Sequence, residues 1–219
     1  MDFFPDVVFT FSMFGQRMEV TESVTVTWII MAVFGITAFL SSRNLKVVPR
    51  GFQNIVEIFV ESTTWLVDTT MGTKYRGFVP YIGTLTLYLT AANLIGLITL
   101  RPPTADLSTT LALSTITFAL TQYYGIKVKG MKNYLKGFIE PIPFMLPLNI
   151  IGELANPFSM AFRLFGNILG GFIILTLLYR AAPILLPVPL HAYFDVFAGV
   201  LQTFIFSMLT MTFLVMAMD

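Results

Sequence analysis

Long apolar segments with almost no charge are the feature that most constrains this chain. The first of them, residues 24–40, is a run of seventeen residues without a charged side chain. That length is close to the minimum for crossing a hydrocarbon core about 30 Å thick. Over the whole chain 56% of residues are hydrophobic and 11% are charged, whereas soluble domains carry roughly 25% charged residues. The sequence therefore predicts an all-α membrane protein and argues against a water-soluble enzyme.

Charge and cysteine content exclude several function classes. Thirteen Lys and Arg against twelve Asp and Glu leave a formal charge of +1, so nothing in the balance favours a nucleic-acid partner. The absence of cysteine excludes disulfides, thiolate catalysis and cysteine-ligated metal sites. The chain also lacks the sequence fingerprints of nucleotide-binding loops and hydrolases. We expect no cofactor, no metal site and no nucleotide site on this chain.

The alternation of apolar and polar stretches predicts a single membrane domain, 1–219, with one unusual helix. In residues 50–70 apolar side chains recur at helical spacing while acidic residues fall on the opposite face. Such a helix lies along a membrane surface, and a soluble packing helix is the alternative. The expected segments are an external N-terminal tail (1–23), span 1 (24–42), the interfacial amphipathic helix (50–70), span 2 (80–100), span 3 (107–126), a cytoplasmic basic loop (127–140) and a helical hairpin (144–180 and 190–218).

The two helices of the C-terminal hairpin are too long to be upright spans. At 1.5 Å per residue they would extend roughly 50 Å and roughly 40 Å, against a core of about 30 Å. We therefore expect both helices to tilt strongly or to break. Pro147 and Pro157 are candidate bends in the first, and a proline-rich turn joins the two.

Cations set the expected orientation. Lys127, Lys129, Lys132 and Lys136 place four cations in ten residues, which is typical of a cytoplasmic loop. Under the expected topology nine cations lie inside and three outside, so the N-terminus is external and the C-terminus cytoplasmic. The acidic N-terminal region does not resemble a secretory signal, and we treat the chain as mature. A multi-pass protein of a bacterial plasma membrane is expected, with an organelle membrane as the alternative.

The thirteenth cation, Arg163, lies within an apolar run. An arginine at mid-membrane costs about 2.5 to 3.5 kcal/mol on insertion scales, so it marks a functional site by default. The alternative is a packing residue that pairs with Asp195 or Glu153, or one that extends to the membrane surface. Helical steps from Arg163 reach a stripe of polar and small residues: Asn156, Ser159, Asn167 and Gly170.

A second polar stripe follows the last helix. Its members at helical spacing are Asp195, Gly199, Gln202, Phe206 and Thr210. Asp195 has His191 one turn before it, a titratable pair suited to relaying protons, although His191 alone could be a surface residue. Gln202 fits equally well a helix-to-helix hydrogen bond. Asn93 in span 2 is interpreted as a hydrogen-bond donor between spans, with lining of a water path as the other possibility.

The segment from Asn156 to Asn167, NPFSMAFRLFGN, resembles the signature of subunit a of the F-type ATP synthases. Residues 102–107, the lysine-rich loop and residues 201–206 also resemble that family, so the similarity covers nearly the whole chain after about Val24. The resemblance implies a stator protein with two offset half-channels that pass H⁺ or Na⁺ to and from carboxylates on a rotating ring of c subunits. The implied partners are the c-subunit ring, the b subunits of the peripheral stalk, the whole ATP synthase complex and the lipid bilayer.

By the same resemblance, Arg163 corresponds to the essential arginine of the family. The positions matching its outward half-channel are Asn167, Asp195 and Gln202, with Asn93 as a supporter and His191 beside Asp195. The positions matching its inward half-channel are Ser159, Asn156 and Glu153. Many members have a lysine at Asn156, a titratable residue near Phe172, and His or Glu at Asp195. With Phe172 apolar, Asp195 is left to carry the ionisable role.

Two other functions compete with this one. A secondary transporter would use Arg163 to bind an anionic substrate, and saturable uptake by the chain alone would favour it. In a non-catalytic scaffold Arg163 would pair internally, and neutralising it would affect assembly but not conduction.

Overall fold

A computed structural model describes residues 7–13, 16–43, 51–98, 101–139, 143–181 and 187–218, and they are nearly all helical. The helices are α1 (Glu22–Ser42), α2 (Phe52–Thr70), α3 (Val79–Leu94), α4 (Leu107–Lys129), α5 (Met131–Ile139), α6 (Leu146–Ala181), α7 (Pro187–His191) and α8 (Gly199–Met218). Short 3₁₀ turns occur at Thr73–Phe78, Ile95–Ile98, Pro103–Ala105 and Pro143–Met145, and a π-helical segment at Ala192–Ala198 joins α7 to α8. The predicted helical membrane fold is confirmed.

A β-hairpin precedes α1. Strand β1 (Val7–Met13) pairs antiparallel with β2 (Gln16–Thr21), with Phe9 opposite Val20 and Thr10 opposite Glu19. The sequence predicts only an external tail for this region, so the hairpin is an addition to the predicted fold. Its signal was the run of β-branched and aromatic residues that begins at Val7, which favours strands.

Four of the described helical segments are long and apolar enough to cross a membrane: Glu22–Ser42, Thr73–Ile98, Leu146–Tyr179 and Pro189–Met218. Helix α4, where the sequence predicts span 3, is not one of them. Its 23 residues would reach about 34 Å, but its many Ser and Thr side chains lower its hydropathy. That α4 crosses the membrane stays a prediction.

Helix α4 turns its hydroxyl side chains toward protein. The buried residues of α4 recur at helical spacing: Thr110, Ser114, Thr117, Thr121 and Gly125. Helix α4 packs between α6 and α8, while Ile116 and Tyr123 on its other side are exposed. This helix is therefore polar inside and apolar outside, the reverse of a helix in a soluble protein.

Helix α8 lies at the centre of the bundle, in contact with α2, α3, α4 and α6. Its Phe206 packs with Leu89 of α3 and Leu164 of α6, and its Met211 and Leu214 pack with Val67 of α2. Helix α1 joins from the side, where Val26 and Ile30 contact Ala92. The core thus holds α3, α6 and α8 at fixed positions around the polar residues described below.

Helix α6 is continuous over 36 residues, or about 54 Å. Pro157 lies inside it without ending it, and Pro147 falls in its first turn, where a missing backbone N–H costs nothing. The turn at 182–186 lies outside the described residues, as does residue 140 of the expected basic loop. The tilt of the two long helices in a membrane stays a prediction.

The segment expected as a basic loop, 127–140, is largely helical in its described part. Helix α4 continues to Lys129, Gly130 takes a φ of +78°, and α5 then runs back along the bundle. Tyr134 of α5 lies so close to Gly125 that a Cβ there would be 2.8 Å from the tyrosine ring. Gly130 and Gly125 therefore allow the chain to fold α5 back onto α4.

Candidate functional site

Arg163 lies on the exposed side of α6. It forms no hydrogen bond or ion pair with any residue that the structure describes. Asp195 and Glu153, the two acids considered as internal partners, are hydrogen-bonded to other residues. A Cβ built at Gly166 or Gly170 would have no described atom within 4 Å. We call the surface formed by Ser159, Arg163, Gly166, Asn167 and Gly170 the open face of α6.

The opposite side of α6 is packed. Met160, Leu164, Ile168 and Leu175 are buried, at steps of four, four and seven residues. Because that apolar stripe is fixed against α3 and α8, the guanidinium of Arg163 is held on the side that the described residues leave uncovered.

The structure brings the two predicted polar stripes together at one point. The side-chain amide of Asn167 donates to Oε1 of Gln202 at 2.8 Å. Gln202 is 2% exposed, and its Nε2 has no hydrogen-bond partner in the described part of the chain. Gln202 thus makes the helix-to-helix hydrogen bond considered above and still has an unused donor beside the open face.

Asn93 is buried in a complete hydrogen-bond network between α3 and α8. Its Nδ2 donates to the backbone oxygen of Gly199 at 3.0 Å and to Thr203 Oγ1 at 3.1 Å, while its Oδ1 accepts from Thr104 at 2.8 Å. Gly199 permits this approach, since a Cβ there would lie 3.1 Å from that of Asn93. Asn93 therefore acts as the hydrogen-bond donor between helices that the sequence indicated.

Asp195 and His191 form a hydrogen-bonded pair at the start of the last helix. Nδ1 of His191 is bonded to Oδ2 of Asp195, and Nε2 of His191 is 2.7 Å from the hydroxyl of Tyr179 on α6. The Asp195 carboxylate also lies against Gly96, where a Cβ would be 3.2 Å from Oδ1. Sequence reasoning missed Tyr179, because no local spacing connects it to His191.

A second polar cluster surrounds Glu153 on α6. Its Oε1 accepts from Gln122 at 3.2 Å and its Oε2 from Asn156 at 3.4 Å, and Tyr134 donates to Gln122. Burial and the negative charge of Glu153 raise the pKa of Tyr134 above its ordinary value. Gln122 and Tyr134 were not predicted. Both are polar residues of α4 and α5 that only the folding back of α5 brings to Glu153.

A cavity of about 170 Å³ adjoins this cluster, between α4, α6 and α8. Its polar lining includes Ser114, Thr117 and Thr121 of α4 together with Glu153 and Asn156. A cavity of this size with hydroxyl and carboxylate walls can hold several water molecules. The α4 hydroxyls are further residues that the sequence analysis missed, and their spacing of four, three and four was the available signal.

The two polar clusters lie on opposite sides of Arg163 along α6. Glu153 precedes Arg163 by ten residues and Tyr179 follows it by sixteen, or about 15 Å and about 24 Å along the helix axis. Within the described ranges, no three His, Asp or Glu side chains lie close enough to hold a metal ion. The arrangement is one exposed cation, without a partner among the described residues, between two polar clusters, a geometry suited to moving ions rather than to bond-breaking chemistry.

Comparison with known proteins agrees with this geometry. The family model described as "ATP synthase A chain" matches residues 24–215. The chain is 38% identical over 198 residues to "ATP synthase subunit a" of Moorella thermoacetica, covering 90% of each chain. It is 41% identical over 201 residues to "ATP synthase subunit a 1" of Syntrophotalea carbinolica, covering 90% of this chain and 85% of the relative. It is 38% identical over 211 residues to "ATP synthase subunit a, sodium ion specific" of Propionigenium modestum, covering 89% of this chain and 73% of the relative.

The matched region includes both polar clusters and the open face. It also includes the four long apolar segments, apart from the first residues of α1 and the last residues of α8. Identity above 30% over nine-tenths of the chain decides between the functions considered from sequence and sets the secondary transporter aside. The chain belongs to the family of ATP synthase subunit a, the non-catalytic, ion-translocating stator subunit in the membrane sector of that enzyme.

Proposed function

We propose that Arg163 is the residue of this subunit that meets the ion-binding carboxylates of a rotating c-subunit ring. The observation that carries the proposal is its exposed guanidinium on the open face of α6, without a partner among the described residues. An unpaired intramembrane cation is costly unless a neighbouring molecule supplies the counter-charge. Gly166 and Gly170 leave room for a partner helix to approach closely, as small residues do in membrane interfaces.

The role of Arg163 is electrostatic. In a low-dielectric interface a fixed guanidinium favours the ionised form of a carboxylate that arrives opposite it, so the carboxylate releases its bound H⁺ or Na⁺. Rotation then carries the empty site onward. Because arginine keeps its proton in proteins, its charge also repels a cation that would pass directly from one half-channel to the other.

Two half-channels are proposed, one on each side of Arg163. The outward one uses Asn167, Gln202, Asp195 and His191, with Asn93 as structural support. The inward one uses Ser159, Asn156 and Glu153, together with the hydroxyl-lined cavity. Support comes from the separation of the two clusters along α6 and from the unused Nε2 donor of Gln202 beside the open face.

The proposed setting is a bacterial plasma membrane, with the N-terminus outside and the C-terminus in the cytoplasm. The concentration of lysines between Lys127 and Lys136 supports this orientation. We propose the b subunits of the peripheral stalk as further partners within the whole complex. The transported ion is H⁺ or Na⁺, and the Propionigenium modestum relative is named as sodium ion specific.

The test is coupled ATP synthesis by the whole complex in liposomes. Arg163→Ala should abolish synthesis while the complex still assembles, and Arg163→Lys should restore little, since an ammonium loses its proton readily on burial. Arg76→Ala is the matched control. Arg76 forms an exposed ion pair that lowers the pKa of Asp68, and the loss of such a pair should leave synthesis unchanged. Normal coupled synthesis by the Arg163→Ala complex would refute the role.

A further inference from the structure

We propose that Tyr179 orients His191 and passes to it the protons that His191 delivers to Asp195, so that the outward half-channel of this chain is a proton path. The inference rests on the proposed outward role of His191 and Asp195. It adds a third residue, a direction of transfer and the identity of the ion.

Three side chains from two helical segments form a continuous row of hydrogen bonds. The Tyr179 hydroxyl on α6 is 2.7 Å from Nε2 of His191, and Nδ1 of His191 is bonded to Oδ2 of Asp195. The Tyr179 and His191 ring centres are 5.7 Å apart. Because Tyr179 precedes and His191 follows residues 182–186, the row depends on the tertiary fold and not on one continuous helix.

With a neutral imidazole and an ionised Asp195, the donors and acceptors in this row have one consistent assignment. An ionised carboxylate can only accept, so Nδ1 of His191 must carry the proton that it shares with Asp195. In a neutral imidazole the other nitrogen then has a lone pair, and the Tyr179 hydroxyl must donate to it. Tyr179 therefore holds the ring in the tautomer whose free nitrogen faces outward.

Exposure falls along the row from Tyr179 to Asp195. Tyr179 is 44% exposed, whereas the side chains of His191 and Asp195 are 23% and 14% exposed. Gly96 allows the innermost position, because a Cβ there would lie 3.2 Å from Oδ1 of Asp195. Protons can thus arrive at the tyrosine end and leave from the carboxylate end.

The transfer balances without another reactant. A proton from outside water binds the Tyr179 oxygen, and the hydroxyl proton moves to Nε2 of His191. The N–H bond at Nδ1 breaks as Oδ2 of Asp195 accepts that proton, so the imidazole stays neutral and Asp195 becomes neutral. After Asp195 passes its proton on, exchange with outside water restores the first tautomer: Nε2 releases its proton to water and Nδ1 takes one up.

Other titratable groups near the row do not complete such a path. The described parts of the neighbouring elements, α3, α6, α7, α8 and the turn Ile95–Ile98, provide no further hydrogen bond to His191. Arg101 approaches α6 two turns before Tyr179, with its guanidinium carbon 5.9 Å from the centre of the Phe172 ring. Tyr193, on the π segment itself, packs its ring against Phe194 and Phe197.

The experiment measures ATP synthesis by the whole complex in liposomes whose lumen faces the outer end of this chain. Lumen pH is varied from about 5.5 to about 8, around the ordinary titration range of histidine, at fixed external pH and fixed potassium diffusion potential. The quantity compared is the rate of each variant divided by the wild-type rate at the same pH. Uncoupled ATP hydrolysis by the same vesicles measures the amount of assembled complex.

Tyr179→Phe should lower this ratio about fivefold at the alkaline end, the factor expected for one lost hydrogen bond, and leave it near one at the acidic end. At low pH protons are abundant enough to reach Asp195 without the relay. His191→Gln should lower the ratio at least as much in the same pH range. The double variant should have the same ratio as His191→Gln alone. Tyr193→Phe, a hydroxyl removal on the adjacent segment, should have no effect.

Three results would overturn the proposal: an equal loss from Tyr179→Phe at every lumen pH, a double variant that multiplies the two single losses, or synthesis that requires Na⁺ and ignores lumen pH. Each is distinct from a failure of the proposed function itself, which Arg163→Ala tests in the same vesicles.

Discussion

The side-chain amide of Asn167 donates a 2.8 Å hydrogen bond to Oε1 of Gln202, and this bond joins the helix that carries Arg163 to the central helix α8. The two partners differ in environment: Asn167 is exposed, whereas Gln202 is 2% exposed. Removing one partner therefore does not have the same consequence as removing the other.

Asn167→Leu should destabilise the subunit more than the double variant Asn167→Leu/Gln202→Leu. The single change leaves the buried Gln202 amide without its remaining partner, at a cost of about 1–3 kcal/mol, and the double change removes that amide. The destabilisation of each variant is measured by heating the purified complex and monitoring the loss of subunit a from it. Additive effects of Asn167→Leu and Gln202→Leu would contradict this account.

Two glycines of α6 should separate stability from function. Gly171→Ala should cost about 1–3 kcal/mol, because its Cβ would lie 3.1 Å from the side chain of Phe194 and force that ring to move. Gly166→Ala meets no described atom within 4 Å and should leave thermal stability unchanged or higher. Its methyl group would nevertheless lie on the open face, so synthesis should fall. The expectation fails if both variants lose stability equally.

Water should reach Ser114 from the cytoplasm. The chain has no cysteine, so Ser114→Cys introduces a single thiol at the wall of the cavity beside Glu153. A small water-soluble thiol reagent added to inside-out vesicles should react with it and block ATP-driven ion pumping. Ser207→Cys is the control, since Ser207 is as buried as Ser114 but does not line the cavity and is bonded to Thr86. Equal labelling of the two thiols would mean that the cavity is not connected to the cytoplasm.

Tyr134 should ionise at a higher pH than an exposed tyrosine. Burial is the largest cause of its raised pKa, and the charge of Glu153 adds to it. The neutral form therefore stabilises the packing of α5 below the ordinary tyrosine pKa, and that contribution is lost as pH rises through the folded value. The titration is measured as the difference in ultraviolet absorbance between the wild type and Tyr134→Phe. Glu153→Gln should lower the midpoint, and an unchanged midpoint would remove Glu153 as a cause.

Local patterns were sufficient to predict much of this molecule. The uncharged runs located α1, α6 and α8, because a membrane span must bury every backbone polar group in a helix. Arg163 could be chosen as a candidate functional residue because a charge in an apolar run is costly. The two polar stripes indicated facing helices, and the Asn167–Gln202 bond is where they meet.

The features that sequence reasoning missed depend on contacts between distant segments. Tyr179 of α6 meets His191 of α7, and Tyr134 reaches Gln122 only because Gly130 turns the chain back. The inward-facing hydroxyls of α4 were not predicted either, although they recur at helical spacing. The N-terminal hairpin was not predicted, because a β-forming run of seven residues is a weak signal beside the long apolar helices.

The π-helical segment between His191 and Gly199 gives the last helix an angular offset. Each π-helical turn holds about one residue more than an α-helical turn. Side chains of α7 and α8 are therefore rotated about the helix axis relative to their positions in a continuous α-helix. Asp195 and Gln202 are seven residues apart and would point the same way in a uniform α-helix. Here one contacts Gly96 and the other Asn167. Deleting one residue of this segment would change the direction of the Asp195 carboxylate and leave the Gln202 amide in place. The segment therefore sets how the outer relay is oriented relative to Arg163.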